Sequence, residues 1–206
     1  MKCKSELRRA VLTQRNALPL TERLRRSQAA AERFVALPEF VQARVVMLFV
    51  SFGSEIETRP IITAALAAGK RVVAPRADPQ RRALTPCEVR DLDRDLAPGA
   101  HGIEEPRPHC PAMDLAEIDL VAVPAVAWSE DGYRLGYGGG YYDRFLPKVG
   151  RALAVGLGLE VQVVPELPQG PHDQPVEVLV TEEHVRRFRR RPRLVPPANQ
   201  GQTRER

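Results

Sequence analysis

Cysteine is scarce in this sequence: the 206 residues include three, Cys3, Cys87 and Cys110, with no C-x-x-C spacing among them. An odd count without a pairing pattern argues against a disulfide-stapled scaffold and fits a reducing cytoplasm. The four histidines add no zinc-ligand spacing, the adjacent His109 and Cys110 included. No Ser/His/Asp arrangement is justified by spacing either. Long hydrophobic runs are also missing. Nothing approaches the ~18 apolar residues a membrane span requires, and the opening MKCKSELRRAVLTQR has no apolar core of an export signal, so neither insertion nor export is expected. Internal repeats and low-complexity blocks are absent, although 19 prolines are scattered along the chain.

What is present is the mix of a folded domain, 43% apolar and 28% charged residues. The length fits one core-bearing domain better than two. The net charge is +5, but residues 186–206 hold eight of the 31 Lys and Arg against one acid, Glu205, so residues 1–185 carry a net −2. A mildly acidic body argues against a broad nucleic-acid-binding surface. The final RRFRRRPRLVPPANQGQTRER has no apolar period and reads as a disordered, Arg-rich tail behind a single domain over residues 1–185.

Helical and strand periods alternate along that domain. Residues 5–18 put Leu7, Ala10, Val11 and Leu18 on one helical stripe. Lys4, Arg8 and Arg15 form a cationic row beside it, within about 40° of one another. A second helix is expected from Thr21 as N-cap to Pro38. Residues 44–50 (RVVMLFV) and 70–75 (KRVVAP) read as strands covered on both faces, with a helix from Thr58 and Pro60 to about Gly69 between them. Pro, Gly and acids interrupt residues 76–117, where irregular structure with one edge strand is expected. Apolar periods return in residues 118–128 and 151–159, separated by a glycine loop and a short helix. This alternation predicts a three-layer α/β/α domain with a mainly parallel sheet.

The glycine loop is the most informative stretch. In residues 131–146, DGYRLGYGGGYYDRFL, Gly136, Gly138, Gly139 and Gly140 leave backbone amides free to approach a polyphosphate. Arg134 precedes the loop as a cation, and Asp143 follows it as an oxygen donor suited to Mg²⁺. The spacing is neither that of a P-loop, which needs G-K-[ST], nor that of a dinucleotide fingerprint, which needs glycine where Tyr141 stands.

Residues 132–143, GYRLGYGGGYYD, fill every fixed place of the segment G-x-R-L-G-x-G-x-G-[YF]-Y-D, and here the sequence resembles the 5-formyltetrahydrofolate cyclo-ligase family. The resemblance extends to K-x-x-L-R (Lys4, Leu7, Arg8), to S-E-I-x-T from Ser54 to Thr58, and to H-D-x-P from His172, and spans roughly residues 2–184. It implies a single cytoplasmic, monomeric enzyme domain similar to the sugar-phosphate isomerase and CoA-transferase type of fold. The implied reaction is ATP- and Mg²⁺-dependent cyclisation of 5-formyltetrahydrofolate to 5,10-methenyltetrahydrofolate, with release of ADP and phosphate. Phosphorylation of the formyl oxygen makes it a leaving group that N10 displaces, so positioning and charge neutralisation supply the catalysis.

The resemblance carries roles onto particular residues. Lys4, Arg8 and Arg134 match positions that reach ATP phosphates and act in catalysis. Leu135, Gly136, Tyr137, Gly138, Gly139, Gly140, Tyr141 and Tyr142 complete the nucleotide loop. The stretch from Tyr137 to Tyr141 also overlaps the folate site, together with Val50 and Glu55, whose carboxylate suits the pterin N–H groups. Asp143 and Asp173 match metal positions. One of Tyr141 and Tyr142 is expected to pack on the sheet instead. Trp128 is open between core and folate site, and Arg76 between a phosphate and the folate glutamate. Two other classes compete: a kinase or acid-activating ligase using the same loop on another small substrate, and a nucleotide- or RNA-binding module acting through the basic tail.

Overall fold

Short β-branched runs set the centre of the fold, seen in a computed structural model that describes residues 3–99 and 102–189. Two helices lead in, α1 (Lys4–Asn16) and α2 (Leu20–Val35), followed by the single-turn α3 (Pro38–Gln42). Strand β1 (Val45–Met47) then enters the sheet, α4 (Arg59–Ala67) crosses over, and β2 (Arg71–Asp78) turns back into β3 (Ala83–Val89). A small excursion holds α5 (Leu92–Asp95), β4 (Leu96–Pro98) and β5 (Glu104–Pro106). The second half runs β6 (Leu120–Val123), β7 (Ala127–Ser129), β8 (Arg134–Leu135), α6 (Tyr141–Phe145), β9 (Leu153–Leu157), β10 (Val163–Val164), β11 (Val178–Val180) and β12 (Val185–Arg187).

Seven strands form the main sheet in the order β12-β11-β9-β6-β1-β2-β3. The five inner strands are parallel, and β3 and β12 close the edges antiparallel. Side-chain alternation divides each inner strand between two layers. Val46, Leu120 and Val155 face Phe34, Ile61 and Ile62 of α2 and α4, while Met47, Val121 and Ala154 face Phe145, Leu146 and Val149 in and after α6. This is the expected three-layer α/β/α arrangement. Asp119 Oδ2 accepts the Arg44 and Val45 amides at 2.8 and 2.9 Å, pinning the start of β1 against β6.

Several expectations shift. The second helix begins at Leu20, with Pro19 rather than Thr21 at its N-cap, and ends at Val35; Pro38 opens α3 instead of merely stopping α2, since proline's fixed φ suits a first helical turn. Only Val45–Met47 of residues 44–50 pairs in the ladder. The middle region is more ordered than its composition implies, because β2 continues past Pro75 to Asp78 against β3, and β4 pairs with β5. Pro75 and Pro86 stand opposite each other in this edge hairpin, where proline's missing donor is tolerated.

The main sheet runs two residues into the basic stretch that follows residue 185. Val185–Arg187 forms β12, Arg186 pairs with Glu160, Arg187 pairs with Glu39, and the Phe188 amide donates to Glu177 O. The first basic residues of the tail are therefore edge-strand residues whose charges meet acids of the body. Residues 190–206 lie outside the described residues.

Candidate active site

In a parallel sheet, ligands bind beyond the carboxyl ends of the strands where the chain order reverses. Here the chain runs from β1 outward to β2, then resumes on the other side of β1 with β6, β9 and β11. Residues at and beyond the ends of β1, β6 and β9 line a narrow, tightly packed crevice made by Phe49, Glu55, Ile56, Pro124, Ala125, Leu157 and Gln162, with Arg15 from α1. Gln162 is fixed there by donating to Ala125 O at 2.7 Å and accepting the Leu159 amide at 2.8 Å.

Helix α1 reaches this crevice because its apolar stripe packs on the small sheet β10-β7-β8, where Val11 meets Val126, Ala127 and Leu135. The cationic row is thereby laid along the site, each member with a different partner. Lys4 Nζ donates to Asp173 Oδ2 at 2.8 Å, Arg8 Nε to the Gly136 carbonyl at 2.9 Å, and Arg15 Nη2 to Tyr137 Oη at 2.9 Å. Arg15 Nε donates to Ser54 Oγ, also at 2.9 Å.

The glycine loop leaves β8 and opens α6. Gly138 has φ +106° and Gly140 φ +64°, the latter serving as N-cap of α6. Those angles favour residues without a Cβ. Arg134, whose side chain is 5% exposed, divides its guanidinium between the Gln174 carbonyl at 2.5 Å and Asp143 Oδ1 at 2.6 Å. The Gln174 amide donates to the same Asp143 oxygen at 3.2 Å, and the Gly170 amide to Asp173 Oδ2 at 2.8 Å. Asp143 and Asp173 are thus on abutting segments, each neutralised by a cation. Each offers a hard oxygen donor of the kind Mg²⁺ takes alongside waters and phosphate oxygens.

Glu55 is 4% exposed at the crevice wall. Burial pushes its carboxyl up to about 7, against the pull of Arg15, the Phe52 amide and a hydrogen bond with Tyr137. Tyr137 also meets the Phe52 ring at 5.2 Å between centroids, so it bridges the glycine loop and the crevice. Its phenol is raised, chiefly by burial.

The other expected residues divide. Leu135 packs under α1. Tyr142 packs on the core layer below the loop with its Oη buried and unpaired, and burial raises its phenol far above the usual range; Tyr141 remains half-buried on the loop side. Val50 is 5% exposed and belongs to the core under α2 and α4, while its neighbour Phe49 lines the crevice. Trp128 is a core residue, fully buried against Gly156 and Gly158. Arg76 donates to the Arg107 carbonyl at 3.3 Å, away from the crevice lining. Asp95 comes beside His109 and Cys110, with His109 Nε2 3.1 Å from Asp95 Oδ1, a grouping that chain spacing does not reveal. Spacing likewise gave no sign of Gln162 and Ala125, which join the crevice only through the sheet's crossover.

The chain matches the 5-formyltetrahydrofolate cyclo-ligase family over residues 1–182. It is 33% identical over 174 residues to the 5-formyltetrahydrofolate cyclo-ligase of Escherichia coli K12, covering 83% of this chain and 96% of that protein. The mouse 5-formyltetrahydrofolate cyclo-ligase is 29% identical over 186 residues, covering 85% and 92%. The NMR structure of Aquifex aeolicus 5,10-methenyltetrahydrofolate synthetase superposes with a TM-score of 0.80 at 36% identity, covering 96% of this chain and 98% of that one. A Mycoplasma pneumoniae 5,10-methenyltetrahydrofolate synthetase shares the fold at TM-score 0.72 and 21% identity, over 87% and 98%.

Proposed function

Since the chain belongs to the 5-formyltetrahydrofolate cyclo-ligase family and is an enzyme of that kind, we propose that it couples ATP cleavage to closure of 5-formyltetrahydrofolate into 5,10-methenyltetrahydrofolate, using Mg²⁺. The observation that carries this reading is the junction at Tyr137, where an arc of cations along α1 meets a crevice walled by a buried carboxyl.

In this reading Lys4, Arg8 and Arg134 receive the ATP phosphates, with the amides from Leu135 to Tyr142 shaping the loop around them. Leu135 and Tyr142 act from beneath, holding the loop's two ends on the core. Glu55, ionised by the bound ligand, accepts from the pterin's N–H groups, and residues 137–141 cover the reacting end. Val50 contributes by backing Phe49. Asp143 and Asp173 would hold Mg²⁺, which when bound neutralises phosphate charge.

The chemistry needs no enzyme nucleophile. The formyl oxygen attacks the γ-phosphorus and ADP leaves, giving an iminium phosphate. N10 then adds to the formyl carbon, the C–O bond breaks as phosphate departs, and the N10 proton is released to solvent. Arg134 and Arg8 stabilise the charge on the moving phosphoryl group. The protein is proposed to work as a monomer in the cytoplasm. Among the described residues no helix is long and apolar enough to cross a membrane.

The test is an assay with 5-formyltetrahydrofolate, ATP and Mg²⁺ that follows ADP and methenyltetrahydrofolate together. One-to-one formation is expected. ADP release that ignores the folate would instead favour a kinase acting on another acceptor.

A further inference from the structure

Arg15 is the anomaly of the crevice. It is 2% exposed, yet its Nη1 atom is buried without a hydrogen-bond partner. Its other two groups are committed, Nε to Ser54 Oγ and Nη2 to Tyr137 Oη, each at 2.9 Å. Ser54 is held in turn by Asn16 Oδ1 at 2.5 Å. The guanidinium is therefore fixed along its Nε/Nη2 edge, and Nη1 is the one nitrogen without a partner. A buried donor without a partner costs about 1–3 kcal/mol, and one at a crevice wall is free to meet a ligand acceptor.

We propose that Arg15 is a specificity-determining residue that donates from Nη1 to the 4-oxo group of the pterin, completing with Glu55 the readout of its pyrimidine edge. The inference rests on the placement of the pterin beside Glu55 given above. Along the edge of a 2-amino-4-oxo pyrimidine the groups run amino donor, N3–H donor, carbonyl acceptor. An ionised carboxylate only accepts and a guanidinium only donates. Glu55 matches the first two groups, and Arg15, on the same crevice wall, matches the third. A 4-amino ring turns a donor toward Arg15 and leaves N3 without its hydrogen, so both contacts fail. The enzyme then discriminates against 2,4-diaminopterins by hydrogen-bond polarity instead of by size, since an oxo and an amino group occupy nearly the same space.

The test compares 5-formyltetrahydrofolate with its 4-amino-4-deoxy analogue. Wild-type enzyme is expected to bind the analogue about 10- to 100-fold more weakly in direct titration, the range one misplaced buried donor produces. Arg15→Met is expected to weaken the parent folate by a similar factor, to leave the ATP KM within about two-fold, and to shrink the ratio between parent and analogue several-fold, to the part that Glu55 and N3–H account for. A merely structural role for Arg15 lowers both ligands together and preserves the ratio, which overturns the proposal. Should Arg15→Met not fold, the wild-type titration decides alone: equal affinity for the two ligands overturns it. Glu55→Gln separates the levels. If that variant loses folate affinity while Arg15→Met keeps full discrimination, Arg15 is wrongly assigned and the pterin placement stands. If neither variant alters folate binding, the placement itself is wrong.

Discussion

Arg134 Nη2 donates to Asp143 Oδ1 at 2.6 Å, so a cation proposed for phosphate and a carboxylate proposed for Mg²⁺ neutralise each other when neither ligand is bound. Lys4 and Asp173 repeat the relationship at 2.8 Å on the facing side of the loop. In the proposed reading Asp143 and Asp173 would hold Mg²⁺ and supply charge neutralisation at the phosphates, and Arg134 and Lys4 would then be free to meet phosphate oxygens.

Arg134 uses two different nitrogens, one for Gln174 O and one for Asp143. A lysine ammonium is a compact point charge without the rigid planar fork that spans these two acceptors. Arg134→Lys is expected to lower kcat about 100-fold or more, the scale of losing one preorganised stabiliser of transition-state charge, while remaining folded by circular dichroism. Turnover within a few-fold of wild type would remove Arg134 from the phosphoryl-transfer step.

Lys4 and Asp173 are 41% and 21% exposed, so their ion pair contributes little to stability, about 0–1 kcal/mol. Lys4→Ala should leave the melting temperature within about 4 °C of wild type and raise the ATP KM roughly ten-fold, the worth of about one charge-assisted contact. Asp173→Asn is expected to raise the Mg²⁺ concentration needed for half-maximal rate. A large melting shift with an unchanged ATP KM would make the pair a structural clamp instead.

Glu55 gives a pH signature. Its carboxyl is raised from 4.5 to about 7 by burial, so the folded protein holds that proton more tightly than the unfolded chain. The associated stability is complete below about pH 4.5 and is lost as pH rises through about 7, on the order of 3 kcal/mol in all. Folate affinity follows the opposite course, since the ionised form accepts from the pterin. In wild type kcat/KM for the folate should rise through about pH 7, and Glu55→Gln should flatten both profiles. A folate profile unchanged by Glu55→Gln contradicts the assignment.

Trp128 and the two glycines of β9 and its exit form one packing unit. A Cβ at Gly156 would lie 2.6 Å from the indole, and one at Gly158 2.7 Å from its Nε1. Gly158→Ala is expected to cost about 1–3 kcal/mol by overpacking a fully buried ring. Trp128→Phe should recover part of that loss in the double variant, read from urea melts. Simple additivity would show that the backbone at Gly158, not the ring, is the constraint.

The sequence made the layer order legible because Val45–Met47, Arg71–Asp78, Leu120–Val123 and Leu153–Leu157 carry the apolar density of buried strands. It also made the cationic row legible, since Lys4, Arg8 and Arg15 share a helical face. What it hid depends on chain reversal. Glu55 reads as a surface acid until the crossover from β1 to β6 buries it, and Gln162 shows no motif at all. The hairpin of β4 and β5 was masked by prolines, which edge strands accept. Val185–Arg187 was masked by charge, because Glu160 and Glu39 that pair with its arginines lie far away in sequence.

The central claim is that the formyl oxygen is phosphorylated and leaves as phosphate. The direct test is turnover of 5-formyltetrahydrofolate labelled with ¹⁸O in the formyl group, with mass analysis of the inorganic phosphate formed. The account predicts one ¹⁸O atom in each phosphate released during a single turnover. Label recovered in water, with unlabelled phosphate, would mean that ATP cleavage and ring closure proceed without the phosphorylated intermediate.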